Sequence, residues 1–440
     1  MIKDTFEESF SPEWVENNIT DRAHELVVLR RIIPWERIVT RLTPFYDEAP
    51  GAEGKSLRIM AALLIISRLR GLSDRKVVEQ VRENRYIQYF CNVADRGLQT
   101  FLHPSSLCVF RKRVGGKGFA IIENGIFEML RIAGVISGDD ALIDSTVPES
   151  SIIHPNDVQL IHKAFRKMRA FAKQHRIPVW WDDKELARLW REFGLDKKGN
   201  RAAWLAVFNG MFIPALKIFQ EKVGALRTSP KRKKKAVTML SLLNIPEEQT
   251  LLKLAGERHI KDRIVSLDDP DARPIKKGKS HPDCGFGTTL QLTFNRDGFM
   301  ITVENFIGCP NDKTLYPKTL EIYIKRMAGC PVTVVTDLGF RSLANLGGNT
   351  PDNVVHTFMG RSDDVAEEES RRCRSARSAT EGFIAVSKNL RGFGKSLWHG
   401  LGGHRMWSLI CQTAHNLKKF LQLWDEDRIG EKSLKKLGLA

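Results

Sequence analysis

The chain has 440 residues, 42% of them hydrophobic, which is enough to bury the cores of about two or three domains. Its 69 Lys and Arg against 52 Asp and Glu give a formal net charge of +17, which favours a polyanionic partner such as nucleic acid. The seven cysteines are scattered without a C-x-x-C pair, so neither a disulfide framework nor a zinc ribbon is indicated.

The sequence predicts neither a secretory signal nor a membrane span. Its first residues are acidic where a signal would be basic and then apolar, and the longest apolar run, Ile59 to Ile66, is too short to cross a bilayer. We therefore expect a cytoplasmic protein that associates with the nucleoid when it binds DNA.

Residues 1–138 are expected to form a helical N-terminal domain. Apolar residues at helical spacing predict a helix from Ser56 to Arg70, Gly71 interrupts the pattern, and Ser73 can cap a second helix over 75–84. Two helices joined by a tight turn are typical of a helix-turn-helix motif, although an ordinary helical bundle with a solvated basic face fits the same pattern.

A further helix is predicted to begin after Pro104. Its first turns carry Arg111, Lys112 and Arg113, which could lie along a DNA backbone. These three cations make DNA binding by the N-terminal domain our expectation.

An α/β domain is predicted over 139–440. The apolar run from Ala141 to Ile143 predicts a strand that ends at Asp144. The following segment, about 157–262, is helical in pattern and rich in tryptophan and lysine, so we interpret it as a helical insertion. Its basic run Lys231 to Lys235 is either a solvated loop or a clamp for phosphate.

Strand patterns resume after the insertion. Ile264–Leu267 predicts a strand, and Thr288–Phe294, a turn at 295–298 and Phe299–Val303 predict a hairpin. Three basic residues precede the hairpin and are expected to contact phosphate: Lys276, Lys277 and Lys279.

The rest of the chain alternates helices and strands. A helix over Pro317–Ala328 is expected to lead into an apolar strand, Val332 to Val335, which ends at Thr336 and Asp337. Val354–Phe358 predicts another short strand. The final helices carry Glu381 and then Arg405–Trp424.

The spacing around Glu381 is informative. Arg374, Arg377 and Lys388 stand at offsets of −7, −4 and +7 from it, so on a helix all four side chains point within about 60° of one another. A face that combines three cations with one carboxylate suits a metal ion and a phosphate.

The three acidic positions carry a family resemblance. Asp144-Ser145-Thr146-Val147, Thr336-Asp337-Leu338-Gly339-Phe340 and the segment around Glu381 resemble the DDE transposases of bacterial insertion sequences, in the InsH-like group with an RNase H-like catalytic core. Members commonly carry Tyr, two residues, Arg, three residues, Glu, six residues and Lys. Arg377, Glu381 and Lys388 match that spacing, whereas Arg374 replaces the Tyr and Leu338 replaces a common Arg.

The resemblance implies an α/β fold in which a mixed sheet flanked by helices forms an RNase H-like core. A helical insertion interrupts that core, and an all-α DNA-binding domain precedes it. It also implies a transposase that binds the terminal inverted repeats of its element, cleaves there and joins the freed 3′ hydroxyl to target DNA. The partners are then double-stranded DNA and, because two ends are paired, at least a second copy of the chain in a homodimer or higher assembly.

The resemblance assigns the catalytic and metal-binding roles to Asp144, Asp337 and Glu381, and DNA contacts to Arg377 and Lys388. Phosphodiester transfer is served by two divalent ions roughly 3.5–4 Å apart, one on the nucleophile and one on the leaving oxygen. Carboxylate oxygens suit Mg²⁺ or Mn²⁺. The expected cofactor is therefore a pair of Mg²⁺ or Mn²⁺ ions.

Alternatives remain open at this point. The carboxylates cannot distinguish water from a 3′ hydroxyl as nucleophile, so a nuclease without joining activity fits them, and a catalytically inactive, transposase-derived DNA-binding protein fits the basic charge. Other acids, at Asp139, Asp140, Glu149 and Glu367–Glu369, are interpreted as solvated surface. No nucleotide cofactor is expected, because Gly392–Ser396 lacks the first glycine of a phosphate-binding loop.

Overall fold

The computed structural model describes residues 9–46, 54–94, 102–197, 199–226, 229–276, 284–361 and 364–440. The chain divides into two compact units, one made of residues 1–148 and 289–440 and the other of residues 149–288. A helical N-terminal region followed by mixed sheets and further helices confirms the predicted α/β class.

The N-terminal region is helical. Its α-helices are α1 (Pro12–Asn18), α2 (Glu25–Ile32), α3 (Trp35–Leu42), α4 (Leu57–Leu69), α5 (Asp74–Glu83), α6 (Arg85–Cys91) and α7 (Ser105–Ala133). The predicted caps are present, since Ser56 and Ser73 accept backbone hydrogen bonds at the starts of α4 and α5. Gly71 takes a φ of +65° in the turn between these two helices.

The strands are β1 (Asp140–Thr146), β2 (Glu149–Ser150), β3 (Arg273–Lys276), β4 (Cys284–Gly287), β5 (Thr289–Phe294), β6 (Met300–Phe306), β7 (Thr333–Thr336), β8 (His356–Met359) and β9 (Lys395–Ser396). The first unit contains a five-stranded sheet in the order β6-β5-β1-β7-β8. Strand β1 pairs antiparallel with β5 and parallel with β7, while β5–β6 is the predicted hairpin and β7–β8 is parallel.

The helices that follow the hairpin in this unit are α12 (Asp312–Met327), α13 (Leu343–Leu346), α14 (Glu367–Leu390), α15 (Gly400–Asp425) and α16 (Glu431–Lys436). Helix α14 packs against β1 and β7, whereas α15 packs against β6 and also against α4 and α7. One continuous apolar cluster includes Leu63, Phe119, Ile301 and Leu417. The N-terminal helices and the sheet therefore share a core.

Helix α12 begins five residues earlier than the sequence pattern predicts. Its first turn is capped by Asn311, whose side chain accepts a hydrogen bond from Lys313 N at 3.0 Å. Pro317 lies inside the helix and has no N–H to offer the Lys313 carbonyl. Asn345 Nδ2 donates to that carbonyl at 3.0 Å, so a side chain replaces the missing helical bond.

The second unit is mostly helical, with α8 (Asp157–His175), α9 (Asp183–Leu195), α10 (Arg201–Gly224) and α11 (Pro230–Leu254). A short antiparallel sheet accompanies them, in which β4 pairs with β2 and with β3. Large aromatic side chains dominate its core, including Phe165, Phe208, Phe212 and Phe219. Trp180 packs on this core and donates its Nε1–H to the Ala215 carbonyl at 2.9 Å.

The strand predicted at Ile264–Leu267 is wrong. Ile264 and Leu267 are buried in the core of the second unit, but no strand among the described residues pairs with the segment. The Gln249 side chain instead bonds both backbone groups of Ile264, accepting from its N–H at 3.2 Å and donating to its carbonyl at 3.1 Å. The apolar residues of this segment therefore lie in an irregular stretch, in which an amide side chain makes the backbone hydrogen bonds of Ile264.

Helix α10 is, by length and composition alone, the one described helix that could cross a membrane, with a mean hydropathy of 1.6 in its most apolar window. Its buried side chains are those of Leu205, Phe208, Phe212, Leu216 and Phe219, among others, and they form the core of the second unit. The apolar composition thus has a packing role within the unit.

Candidate active site

Asp144 and Asp337 lie side by side at the edge of the parallel pairing in the five-stranded sheet. In the β1–β7 register, Ala141 faces Val334 and Leu142 faces Val335. Two residues further along, the same register brings Asp144 beside Asp337, with both side chains on one face because strand side chains alternate. Strand β1 itself continues past the predicted end at Asp144, to Thr146, and keeps its pairing with β5 there.

Asp144 is a buried carboxylate held by two donors. Its Oδ1 accepts from Ser145 N at 2.7 Å and its Oδ2 accepts from Arg377 Nη1 at 2.9 Å. Burial raises the pKa of Asp144 to about 6; Arg377 and the Ser145 N–H oppose that rise, and the nearby charge of Asp337 adds to it. Burial therefore has the largest influence on the pKa of this carboxyl group.

Asp337 follows directly after β7. Its Oδ1 accepts from Gly339 N at 2.9 Å, so the carboxylate caps the short 3₁₀ turn Leu338–Phe340. Within the described parts of the chain, the other carboxylate oxygen of Asp337 has no hydrogen-bond or ion-pair partner. The sequence prediction of an aspartate at the carboxyl end of a buried strand agrees with this geometry.

Glu381 lies on α14, which spans all four positions of the face defined from the sequence. Arg377 Nη2 is 3.5 Å from Glu381 Oε1, so one guanidinium bridges Glu381 and Asp144. The Glu381 side chain is 68% exposed. The structure therefore connects the third acid to the first through Arg377, and leaves its carboxylate open to solvent.

The other two cations of that face differ from each other. Lys388 reaches the end of β1, where its Nζ donates to Thr146 Oγ1 at 3.1 Å and to the Val147 carbonyl at 3.4 Å. Arg374, one turn before Arg377, is exposed. Of the predicted phosphate contacts on α14, Arg374 is the one already presented to solvent.

A fourth carboxylate, Asp312, lies at the site. Its Oδ1 accepts from Ser145 Oγ at 2.6 Å, and a Cβ placed on Gly339 would lie 3.6 Å from its Oδ2 and 3.1 Å from Asp337 Oδ1. Burial raises the pKa of Asp312; the hydrogen bond from Ser145 opposes that rise, and the charge of Asp337 adds to it. In the sequence, the pair Asn311-Asp312 after the hairpin resembles a feature of the family, and an ordinary Asn-Asp turn is the alternative interpretation.

The donor atoms fit a hard divalent cation, but they are not assembled around one. In the described parts of the chain, no three Asp, Glu, His or Cys side chains are gathered closely enough to hold a metal ion. Arg377 occupies the position between Asp144 and Glu381 and neutralises both. A cation that bound Asp144 and Glu381 together would have to displace this guanidinium.

The three residues predicted to contact DNA in the N-terminal region differ in their exposure. Arg111 forms a two-pronged ion pair with Asp74, at 2.9 and 2.7 Å, and its guanidinium stacks 4.8 Å from the Trp398 ring centroid. Its side chain is only 11% exposed, so its donors are engaged in packing. Lys112 and Arg113 are exposed, and Arg113 stacks on Tyr46.

Of the three lysines predicted before the hairpin, Lys276 lies exposed in β3. Lys277 and Lys279 lie outside the described residues.

The competing acids have other partners. Arg296 Nε donates to Asp140 at 2.8 Å, and its Nη2 lies 3.5 Å from Glu369. Asp140 and Glu369 are buried, which corrects their interpretation as solvated surface, whereas Glu367 and Glu368 are exposed. Asp140 and Glu369 are therefore both acidic partners of Arg296, in a structural ion-pair cluster.

Comparison with known proteins identifies the helical region. Residues 14–113 match the family described as a transposase domain, DUF772. The chain is 31% identical over 171 residues to the uncharacterized protein ORF8 in the nfe locus of Rhizobium meliloti, a match that covers 37% of this chain and 80% of that relative. No solved structure matches the chain. The chain belongs to a transposase family.

Proposed function

We propose that this protein is a DDE-type transposase of the InsH-like group, which cleaves double-stranded DNA at the terminal inverted repeats of an insertion sequence and transfers the freed strand to target DNA. The observation that supports it most is the β1–β7 register: continued two residues beyond Leu142 and Val335, it brings Asp144 beside Asp337, while Arg377 on α14 links Glu381 to Asp144. The transposase family to which the chain belongs agrees with this activity.

The sheet supports the proposal of an RNase H-like core. An antiparallel meander on one side of β1 and two parallel strands on the other give the order β6-β5-β1-β7-β8. Short connections cannot join parallel strands, so α12 crosses between β6 and β7. The acids then stand at the carboxyl end of the parallel pair, where α/β sheets place their ligands.

Asp144, Asp337 and Glu381 are the residues that would hold two Mg²⁺ or Mn²⁺ ions. When bound, such ions activate the attacking hydroxyl and stabilise the leaving oxygen. The chain contributes a buried carboxylate at Asp144, a carboxylate fixed by the Gly339 N–H at Asp337, and a solvent-facing carboxylate at Glu381.

Arg377 is proposed to have two positions. Without DNA, its fork neutralises Asp144 and Glu381. With DNA, a phosphate offers the same fork a stronger bidentate partner, which releases both carboxylates for cations. Lys388, held against the end of β1, and the exposed Arg374 lie on the same helical face and would contact the neighbouring backbone.

The experiment uses the DNA that flanks the gene. Full-length protein is incubated with fragments that carry the inverted repeats, a target plasmid and Mg²⁺, and the products are sequenced. Joined ends support a transposase, whereas free 3′ hydroxyl ends without joining indicate the nuclease alternative. Asp144→Asn should abolish both products and keep end binding. Metal-dependent products from Asp144→Asn would remove Asp144 from the site, and inactivity of the wild type in every metal would favour the inactive DNA-binding alternative.

A further inference from the structure

The positive charge of the chain is concentrated in its second unit. Residues 149–288 contain 28 Lys and Arg against 16 Asp and Glu, so this third of the sequence carries +12 of the formal +17. The remaining 300 residues, which include the candidate active site, carry only +5. A polyanionic partner is therefore attracted mainly to the second unit.

The densest basic segment lies at the start of α11. Lys231, Arg232, Lys233, Lys234 and Lys235 follow Pro230, the first residue of the helix, and all are exposed. Ala236 is the first residue of α11 that is buried in the core of the unit. About 9 Å of helix thus precedes the first packed residue, at about 1.5 Å per residue.

The five cations at the start of α11 are unfavourable for the stability of the helix. Cations near a helix N-terminus are unfavourable to the helix dipole, and like charges three or four residues apart repel. The first turn has no acidic residue, and Ser229 makes no side-chain capping bond. In the described part of the chain, none of the five cations has an ion-pair partner. Stability within the fold does not account for them.

We infer that the start of α11 is a DNA-binding element that enters a groove of the duplex and contacts phosphates on both of its walls. Five consecutive residues on a helix point in all directions around its axis, because each step turns about 100°. A groove has phosphates on two sides, and the major groove is wide enough for a helix. A flat anionic membrane would contact only one side of the same helix end.

The inference rests on the proposed function only in that DNA is the partner. It assigns part of the affinity for duplex DNA to residues 231–235, independently of the three acids. Its test therefore uses DNA binding without divalent metal, which does not depend on cleavage.

The test compares two full-length variants with the same change in charge. In the clustered variant, residues 231–235 are all changed to Gln. In the dispersed control, five exposed cations of the same unit are changed to Gln: Lys184, Arg191, Lys217, Lys253 and Lys261. Binding to a random duplex of about 30 base pairs is measured over a range of salt concentrations, because each lost phosphate contact lowers the salt slope by about 0.9.

The clustered variant should lose at least about tenfold in affinity near 0.1 M salt and about two or more units of salt slope, while the control stays within about threefold of wild type. Its melting temperature should stay the same or rise, since the mutual repulsion is relieved. Equal losses in both variants would mean that net charge alone attracts DNA, and would overturn the inference. So would an unchanged clustered variant, or one that loses binding to phosphatidylserine vesicles but not to duplex. Failure of metal-dependent cleavage in the wild type would count against the proposed function alone.

Discussion

The Ser145 hydroxyl donates a hydrogen bond to the Asp312 carboxylate, with 2.6 Å between Oγ and Oδ1. These residues are 167 positions apart in the sequence, and they join the strand that carries Asp144 to the first turn of α12. Because Asp312 also faces the Asp337 turn, a single side chain connects the surroundings of both aspartates. Asp312 is therefore either a positioning residue or a fourth ligand.

Two substitutions distinguish those roles. Ser145→Ala removes the hydrogen bond and keeps the carboxylate, whereas Asp312→Asn keeps an acceptor for Ser145 and removes the charge. If Asp312 positions Ser145, Asp312→Asn should keep strand transfer within about tenfold of wild type, about 1.4 kcal/mol in barrier, and Ser145→Ala should be the more damaging change. Loss of about a thousandfold in Asp312→Asn, with Ser145→Ala nearly normal, would make the carboxylate a ligand.

The assignment of the third acid is tested by a matched pair of variants on α14. Glu381→Gln should lower strand transfer by at least about a thousandfold, about 4 kcal/mol, because it removes one of the three carboxylates proposed to hold the metal ions. Glu367→Gln combined with Glu368→Gln should keep activity within about tenfold, since both side chains are exposed at the start of the same helix. Glu369 is left intact because it is buried against Arg296. The reverse ranking would exclude Glu381 from the site.

Gly360 packs closely against the turn that follows Asp337. It has a φ of +77°, and a Cβ there would lie 2.7 Å from Leu338 N, a backbone atom that cannot easily move. Gly360→Ala should therefore lower both the free energy of unfolding and the rate of cleavage. Gly308 is the control, with a φ of +72° and no atom of the described residues within 4 Å of an added Cβ.

Gly308→Ala should lose about 1–2 kcal/mol of stability from backbone strain alone and keep its activity once it is folded. Chemical denaturation and a cleavage assay on the same samples measure the two effects. Equal specific activity in both folded variants would show that the turn tolerates the displacement.

Acid sensitivity should arise in part from His415. Its Nε2 lies 2.8 Å from the Gly298 carbonyl and its Nδ1 3.2 Å from Ser387 Oγ. Burial, aided by the charges of Arg391 and Lys419, lowers the pKa of His415 to about 4, although the bond to Gly298 opposes this. The unfolded chain, with a histidine pKa near 6.5, then binds a proton first as the pH falls.

The folded state should therefore lose up to about 3 kcal/mol through this residue between about pH 6.5 and pH 4, with no further loss below that window. Urea unfolding of wild type and His415→Gln at several pH values measures it. The variant should have a smaller fall in the free energy of unfolding across the window, because the other titrating groups are common to both proteins. If the free energies of unfolding of the two proteins fall in parallel with pH, His415 does not contribute to the acid sensitivity.

Local patterns in the sequence predicted much of this fold. The hairpin, the strand before Asp337 and the long helix that carries Glu381 each follow from the spacing of apolar or charged residues, and the structure contains all three. The helix face around Glu381 was predictable for the same reason, since a periodicity of 3.6 residues depends only on neighbouring positions.

Contacts between distant residues were not predictable in this way. The start of α12 at Asp312 depends on Asn345, which satisfies the carbonyl that Pro317 leaves without a partner. The strand expected at Ile264–Leu267 is absent because Gln249 bonds the backbone there. Arg111 has the pattern of a DNA contact, but Asp74 and Trp398 surround it in the folded chain. In each case a side chain far away in sequence decides the outcome.

The position of α15 has a consequence for synthesis of the protein. This helix, residues 400–425, covers apolar surface on α4 and α7, yet it is translated roughly 270 residues after α7 ends. At about 5–20 residues per second, the ribosome needs about 15–50 s to make that interval. During this time the earlier helices have left the exit tunnel without their final partner, so nascent chains should depend on chaperones and stalled ones should be readily degraded.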